Sequence, residues 1–99
     1  MSFVTTLPEA MTATAGGLQD VGSAVAAGNA AAAAPTTGVI PAAADAVSAL
    51  TAVQFATHAQ MYQEISAQAG AIHDLFVATL GAGASSYLAT EAATAATLI

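Results

Sequence analysis

Ala34-Pro35-Thr36-Thr37-Gly38-Val39-Ile40-Pro41 divides this chain in two. Proline lacks the N–H that an interior helical turn needs, and glycine leaves the helical region easily, so this stretch interrupts a helix from either side. On both flanks the apolar residues recur at helical spacing. Upstream, Leu7, Met11, Leu18, Val21 and Val25 fall on one face, with Thr14, Gly28 and Ala32 continuing the alternation of three and four. Downstream, Phe55, His58, Tyr62, Ile65, Ala69, Ile72, Phe76 and Thr79 step by three and four without a break, and Leu50, Met61, Leu75 and Leu80 widen the stripe. No alternating run of β-branched residues suggests a strand. The spacing predicts an all-α fold, a long antiparallel two-helix hairpin forming one domain over 1–99. Helix one is expected over about 7–33, a loop over about 34–44, helix two over about 45–80, and a tail over 81–99.

The expected helix ends carry their own signals. Thr6-Leu7-Pro8-Glu9 matches a capping box, with Thr6 at the N-cap, Glu9 at N3 and Pro8 in the first turn. Asp45 or Ser48 is placed to cap helix two, and Gly81 and Gly83 offer stop signals at its end. Gly16, Gly17, Gly22 and Gly28 each cost about 1 kcal/mol against Ala inside helix one. That helix needs a packing partner, which its glycines would allow to come close.

The chain has no Lys or Arg, a formal charge of −6 and 57% hydrophobic residues. Without a cation, no carboxylate can form an internal Lys or Arg salt bridge, and phosphate neutralisation for nucleic-acid binding has nothing to work with. An anionic membrane surface would repel the chain. The N-terminus lacks the basic and long apolar regions of a secretory signal peptide. The most apolar stretch, Ala24 to Ala34, is interrupted by Gly28 and Asn29 and is too short to span a bilayer. The absence of Cys excludes disulfides and thiolate metal sites.

A two-helix hairpin leaves its outer apolar surface wet, whereas stable domains need a further layer. Half a dozen large side chains left exposed forgo on the order of 10 kcal/mol at about 1.5–3 kcal/mol each. That rivals the whole stability of a small domain. The composition therefore implies a bundle completed by another chain, one supplying apolar surface and positive charge. Self-association into a homodimeric bundle is opposed by the uncompensated negative charges.

Catalytic chemistry finds little support. His58 and His73 are about 22 Å apart on one helix at ~1.5 Å per residue and cannot share a metal. Asp74 follows His73 directly, and such neighbours do not face each other. Ser66, His58 and Asp74 make no nucleophile elbow, and Gly16-Gly17 precedes no Lys. The expectation is a chain without catalytic, cofactor or metal residues.

One resemblance covers nearly the whole sequence. Pro8-Glu9, the Ala33 to Asp45 connection, Val47-Ser48-Ala49-Leu50, Phe55, His58, Tyr62-Gln63, Ile72-His73, Phe76-Val77 and Ser85-Ser86-Tyr87-Leu88-Ala89-Thr90-Glu91 resemble mycobacterial PE proteins. The resemblance implies a hairpin that pairs 1:1 with a PPE-family protein in a four-helix bundle. It implies export of the pair by a type VII (ESX) secretion system to the cell surface or beyond, a cytosolic chaperone gripping the PPE chain beforehand. It also implies an export signal of the form Tyr-x-x-x-Asp/Glu after helix two, matched here by Tyr87 and Glu91. The chain is expected to be a PE-only protein or an isolated PE domain. For Pro8-Glu9, capping and partner positioning are the expected roles.

The residues expected at the partner are Leu7, Met11, Leu18, Val25, Phe55, His58, Tyr62, Ile65, Ile72 and Phe76, some of which pack the hairpin's own inner face. The alternative implied by the same resemblance is an envelope-associated pair that helps small solutes across the mycobacterial outer membrane. No spanning segment is visible for it.

Overall fold

The computed structural model describes residues 4–97. It contains helix α1 (Pro8–Thr37) and helix α2 (Ala46–Thr97), with no strand among the described residues. The chain divides into two compact units: the residues up to Gly22 with those from His73 onward, and Ser23–Ile72.

Helix α1 starts at Pro8, and the Leu7 carbonyl accepts the N–H groups of Ala10 and Met11 at 3.0 and 3.2 Å. Leu7, not Thr6, is therefore the N-cap, and the expected capping box does not form. The Thr6 hydroxyl is buried without a hydrogen-bond partner. The physical reason is Pro8, whose fixed φ and missing N–H suit the first helical position best. That moves Glu9 to the second helical position, where its charge still favours the positive end of the helix.

The other end also departs from expectation, since α1 runs through Pro35 to Thr37. Proline removes one donor, that aimed at the carbonyl of the exposed Ala31, which water can solvate. The last turn is held instead by the hydroxyls of Thr36 and Thr37, donating to Ala32 and Ala33, and by Gly38 N–H donating to Ala34 at 3.0 Å.

Asp45 caps α2. One of its carboxylate oxygens accepts the Ser48 N–H at 2.8 Å and the other the Ser48 hydroxyl at 3.0 Å. The expected end near Leu80 is wrong, because the helix passes through Gly81 and Gly83 and continues to Thr97. A glycine stops a helix by taking a positive φ, and no glycine here does so. Packing against α1 offsets the glycine cost, for Ala84 is 2% exposed and a Cβ on Gly83 would lie 3.6 Å from Met11 Cε.

In each unit a segment of α1 runs antiparallel to a segment of α2. In Ser23–Ile72, Asn29 meets Tyr62 and Gln63; in the other unit Leu18 meets His73 and Thr6 meets Glu91. The most buried positions of the seam between the helices are small side chains. Ala15, Ala52, Ala59 and Ala84 are its buried hydrophobic residues, flanked by half-buried Ser48, Ala56, Gln63, Ser66, His73 and Val77 on α2. The large residues sit one position earlier: Phe55 before Ala56, Tyr62 before Gln63, Ile65 before Ser66, Ile72 before His73, Phe76 before Val77. One residue is about 100° around a helix, so the large side chains form a second stripe turned away from α1.

Candidate partner face and tail site

The second stripe is open to solvent. Ile72 is 69% exposed, Leu75 67%, Phe55 62% and Ile65 61%, and among the described residues no large side chain is fully buried. Of the ten residues expected at a partner, Leu7, Val25, Phe55, His58, Tyr62, Ile65, Ile72 and Phe76 are exposed. Met11 and Leu18 are half-buried on the side of α1 that faces α2. On α2 the buried positions are thus alanines, while Phe55, Tyr62, Ile65, Ile72 and Phe76 face outward.

Within Ser23–Ile72 the outer stripe meets a groove of about 390 Å³, lined by Asn29, Ala32, Pro35, Thr36, Val39, Phe55, His58, Ala59 and Tyr62. Its walls are mostly apolar, and one of them is fixed by polar bonds. The Tyr62 hydroxyl donates to Asn29 Oδ1 at 2.8 Å, and Gln63 Nε2 donates to the Asn29 carbonyl at 2.9 Å. Asn29 is thereby the polar joint of this unit. Its signal in the sequence was an amide side chain inside an otherwise small and apolar run.

His73 departs from the expected surface or interface role. Its ring is half-buried, with Nε2 at 2.7 Å from the Leu18 carbonyl, so that nitrogen carries the proton and donates. The ring occupies the space over Gly22, where a Cβ would lie 2.7 Å from Cδ2. His58, by contrast, is exposed on the groove. Among the described residues no three His, Cys, Asp or Glu side chains gather as a metal site would require.

The residues expected in the tail lie on α2. Tyr87 is 50% exposed, and Glu91 is one turn further on along the same side. The half-buried Glu91 uses Oε1 to accept the backbone N–H of Thr6 at 2.7 Å. Nearby, Pro8, Glu9 and Thr12 face Ala84, Ser85 and Leu88 across a shallow groove of about 250 Å³. No helix among the described residues is long and apolar enough to cross a membrane.

These features coincide with a known family. The sequence pattern of the PE family matches residues 4–94. The chain is 65% identical to PE family protein PE13 of Mycobacterium tuberculosis over 96 residues, which is 97% of each chain. It is 57% identical over 98 residues to PE-PGRS family protein PE_PGRS33 of the same organism, covering 99% of this chain but 21% of that one. It is 55% identical over 91 residues to PE family protein PE8, covering 92% of this chain and 33% of the relative. The match to PE13 spans both chains almost end to end, and with the family pattern over residues 4–94 it shows that this chain belongs to the PE family.

Proposed function

We propose that this chain is a non-enzymatic interaction module, one half of a heterodimer with a PPE-family protein in which two hairpins complete a four-helix bundle. The observation that carries the reading is the sorting of side chains by size. The hairpin encloses alanines, while Leu50, Phe55, Ile65, Ile72, Leu75 and Phe76 stay in water. Covering those six would contribute on the order of 10 kcal/mol at about 1.5–3 kcal/mol each. A chain with no Lys or Arg and a charge of −6 favours a partner that brings cations to the rim.

In this reading the pair is exported by type VII secretion to the cell surface or the medium, with Tyr87 and Glu91 as the signal. A cytosolic chaperone holds the PPE chain before export. Family membership and the turn-apart placement of Tyr87 and Glu91 on α2 support this assignment.

The test is co-expression with a candidate PPE protein, against expression alone, read by size-exclusion mass and circular dichroism. A 1:1 helical complex from a lone chain that is insoluble or poorly helical is the expected result. A stable, fully helical lone chain that ignores the PPE protein would overturn the pairing. For export, Tyr87→Ala is expected to leave the complex intact and stop secretion, and normal secretion of that variant removes the signal assignment.

A further inference from the structure

The two motifs at opposite ends of this sequence, Pro8-Glu9 and Tyr87 to Glu91, lie in the same compact unit. The contact that joins them is unusual in kind. Glu91 cannot pair with a Lys or Arg of its own chain, because there is none. Thr6 precedes α1, so its N–H has no acceptor in the helical ladder. The two meet at 2.7 Å, with both residues half-buried. A bond from a backbone N–H to an ionised carboxylate is among the stronger kinds. It also places negative charge beside the positive end of α1. The Thr6 hydroxyl is not the group holding this segment, since it is buried without a partner.

We propose that Glu91 is a positioning residue. Its carboxylate clasps the segment before α1 to α2, so that Pro8-Glu9, Tyr87 and Leu88 form one recognition surface. This deepens the export reading and rests on it. The shallow groove between Pro8, Glu9 and Thr12 on one side and Ala84, Ser85 and Leu88 on the other is the seam of that surface. Tyr87, the residue before Leu88, is exposed, while Glu91 spends an oxygen inward on Thr6. A receptor that requires Glu91 thus reads it through the N-terminal segment it holds. An amide oxygen at the same reach accepts the same N–H, so the clasp persists without the charge, through a weaker bond.

The experiment measures two things on the chain co-purified with its PPE partner and in the secreting cell: amide hydrogen exchange at Thr6, and export. Glu91→Ala is expected to speed Thr6 exchange by about tenfold or more and to stop export. Glu91→Gln is expected to restore Thr6 protection and export together. Unchanged Thr6 exchange in Glu91→Ala overturns the clasp. So does loss of export in Glu91→Gln with Thr6 still protected, because the charge is then read directly. Failure of the export reading looks different: Tyr87→Ala and Glu91→Ala are both secreted normally, and the composite surface then falls with it even where Thr6 exchange responds.

Discussion

His73 reaches from α2 to the Leu18 carbonyl at 2.7 Å, and its ring fills the space that a side chain on Gly22 would need. In an isolated helix, Gly→Ala gains about 1 kcal/mol. At Gly22 the new Cβ would lie 2.7 Å from Cδ2 and 2.9 Å from Nε2, so the ring must leave and its hydrogen bond is lost. That loss is worth about 0.5–1.5 kcal/mol and cancels the gain. Gly22→Ala is therefore expected to be neutral or destabilising in the native background and stabilising by about 1 kcal/mol in His73→Ala. Thermal unfolding of the four proteins in the cycle checks this. Gly28→Ala, with open space at its Cβ, serves as the control and is expected to stabilise in both backgrounds. Equal effects of Gly22→Ala in the two backgrounds would falsify the coupling.

The two stripes of α2 predict opposite consequences for substitution. Ala84 and Ala52, at 2% and 6% exposure, have no room to grow. Ala84→Leu is expected to cost about 1–3 kcal/mol of hairpin stability through overpacking. Ile72→Ser, on the exposed stripe, is expected to leave the contacts within the hairpin intact while weakening capture of the PPE protein by about 2 kcal/mol or more, as loss of an interface anchor does. Thermal unfolding of the co-purified pair and pull-down yield, measured on both variants, separate the faces. Ile72→Ser binding as well as the native chain would remove that face from the proposed interface.

Acid should loosen the start of α2. The Ser48 N–H, and after it the Ser48 hydroxyl, hold the Asp45 carboxyl below the ordinary Asp value. A folded pKa below the unfolded one means the stabilisation is complete above the unfolded value, about 3.9. It is lost as pH falls through the lower folded value. Exchange at the amides of 46–49 is expected to rise below about pH 4, and Asp45→Asn, which keeps an acceptor, should abolish that acid dependence. Persistence of the same dependence in Asp45→Asn would assign it to another carboxylate.

Tyr62 is exposed enough to meet a partner, yet its hydroxyl is already bonded within the chain to Asn29 Oδ1. Tyr62→Phe and Asn29→Ala should each lose that one bond, at about 0.5–1.5 kcal/mol, and the double variant should lose little more. Gln63 still donates to the Asn29 carbonyl in all three. Additive losses would show that the hydroxyl and the amide act independently.

The hairpin was legible in the sequence because its signals are local. Spacing by three and four survives any tertiary context, and the Pro35 to Pro41 connection breaks it once. Family membership was legible for a related reason, since ordered residues along one chain carry it without coordinates. The ends were less so. Thr6 lost the N-cap to Leu7 because Pro8 suits the first helical position, and α2 continued past Gly81 and Gly83, with Met11 of α1 packed against it at Gly83.

What only the tertiary structure decided is which stripe faces inward. Hydrophobic periodicity drew attention to Phe55, Tyr62, Ile65, Ile72 and Phe76, but the helices meet through Ala52, Ala59, Ala84 and their neighbours one residue around. Periodicity scores apolarity, whereas close approach of two helices rewards small side chains and leaves large ones for whatever packs outside. The bonds of Glu91 to Thr6 and of His73 to Leu18 join residues far apart in sequence, so no local pattern encodes them. They exist because an antiparallel pair brings the end of one helix beside the beginning of the other.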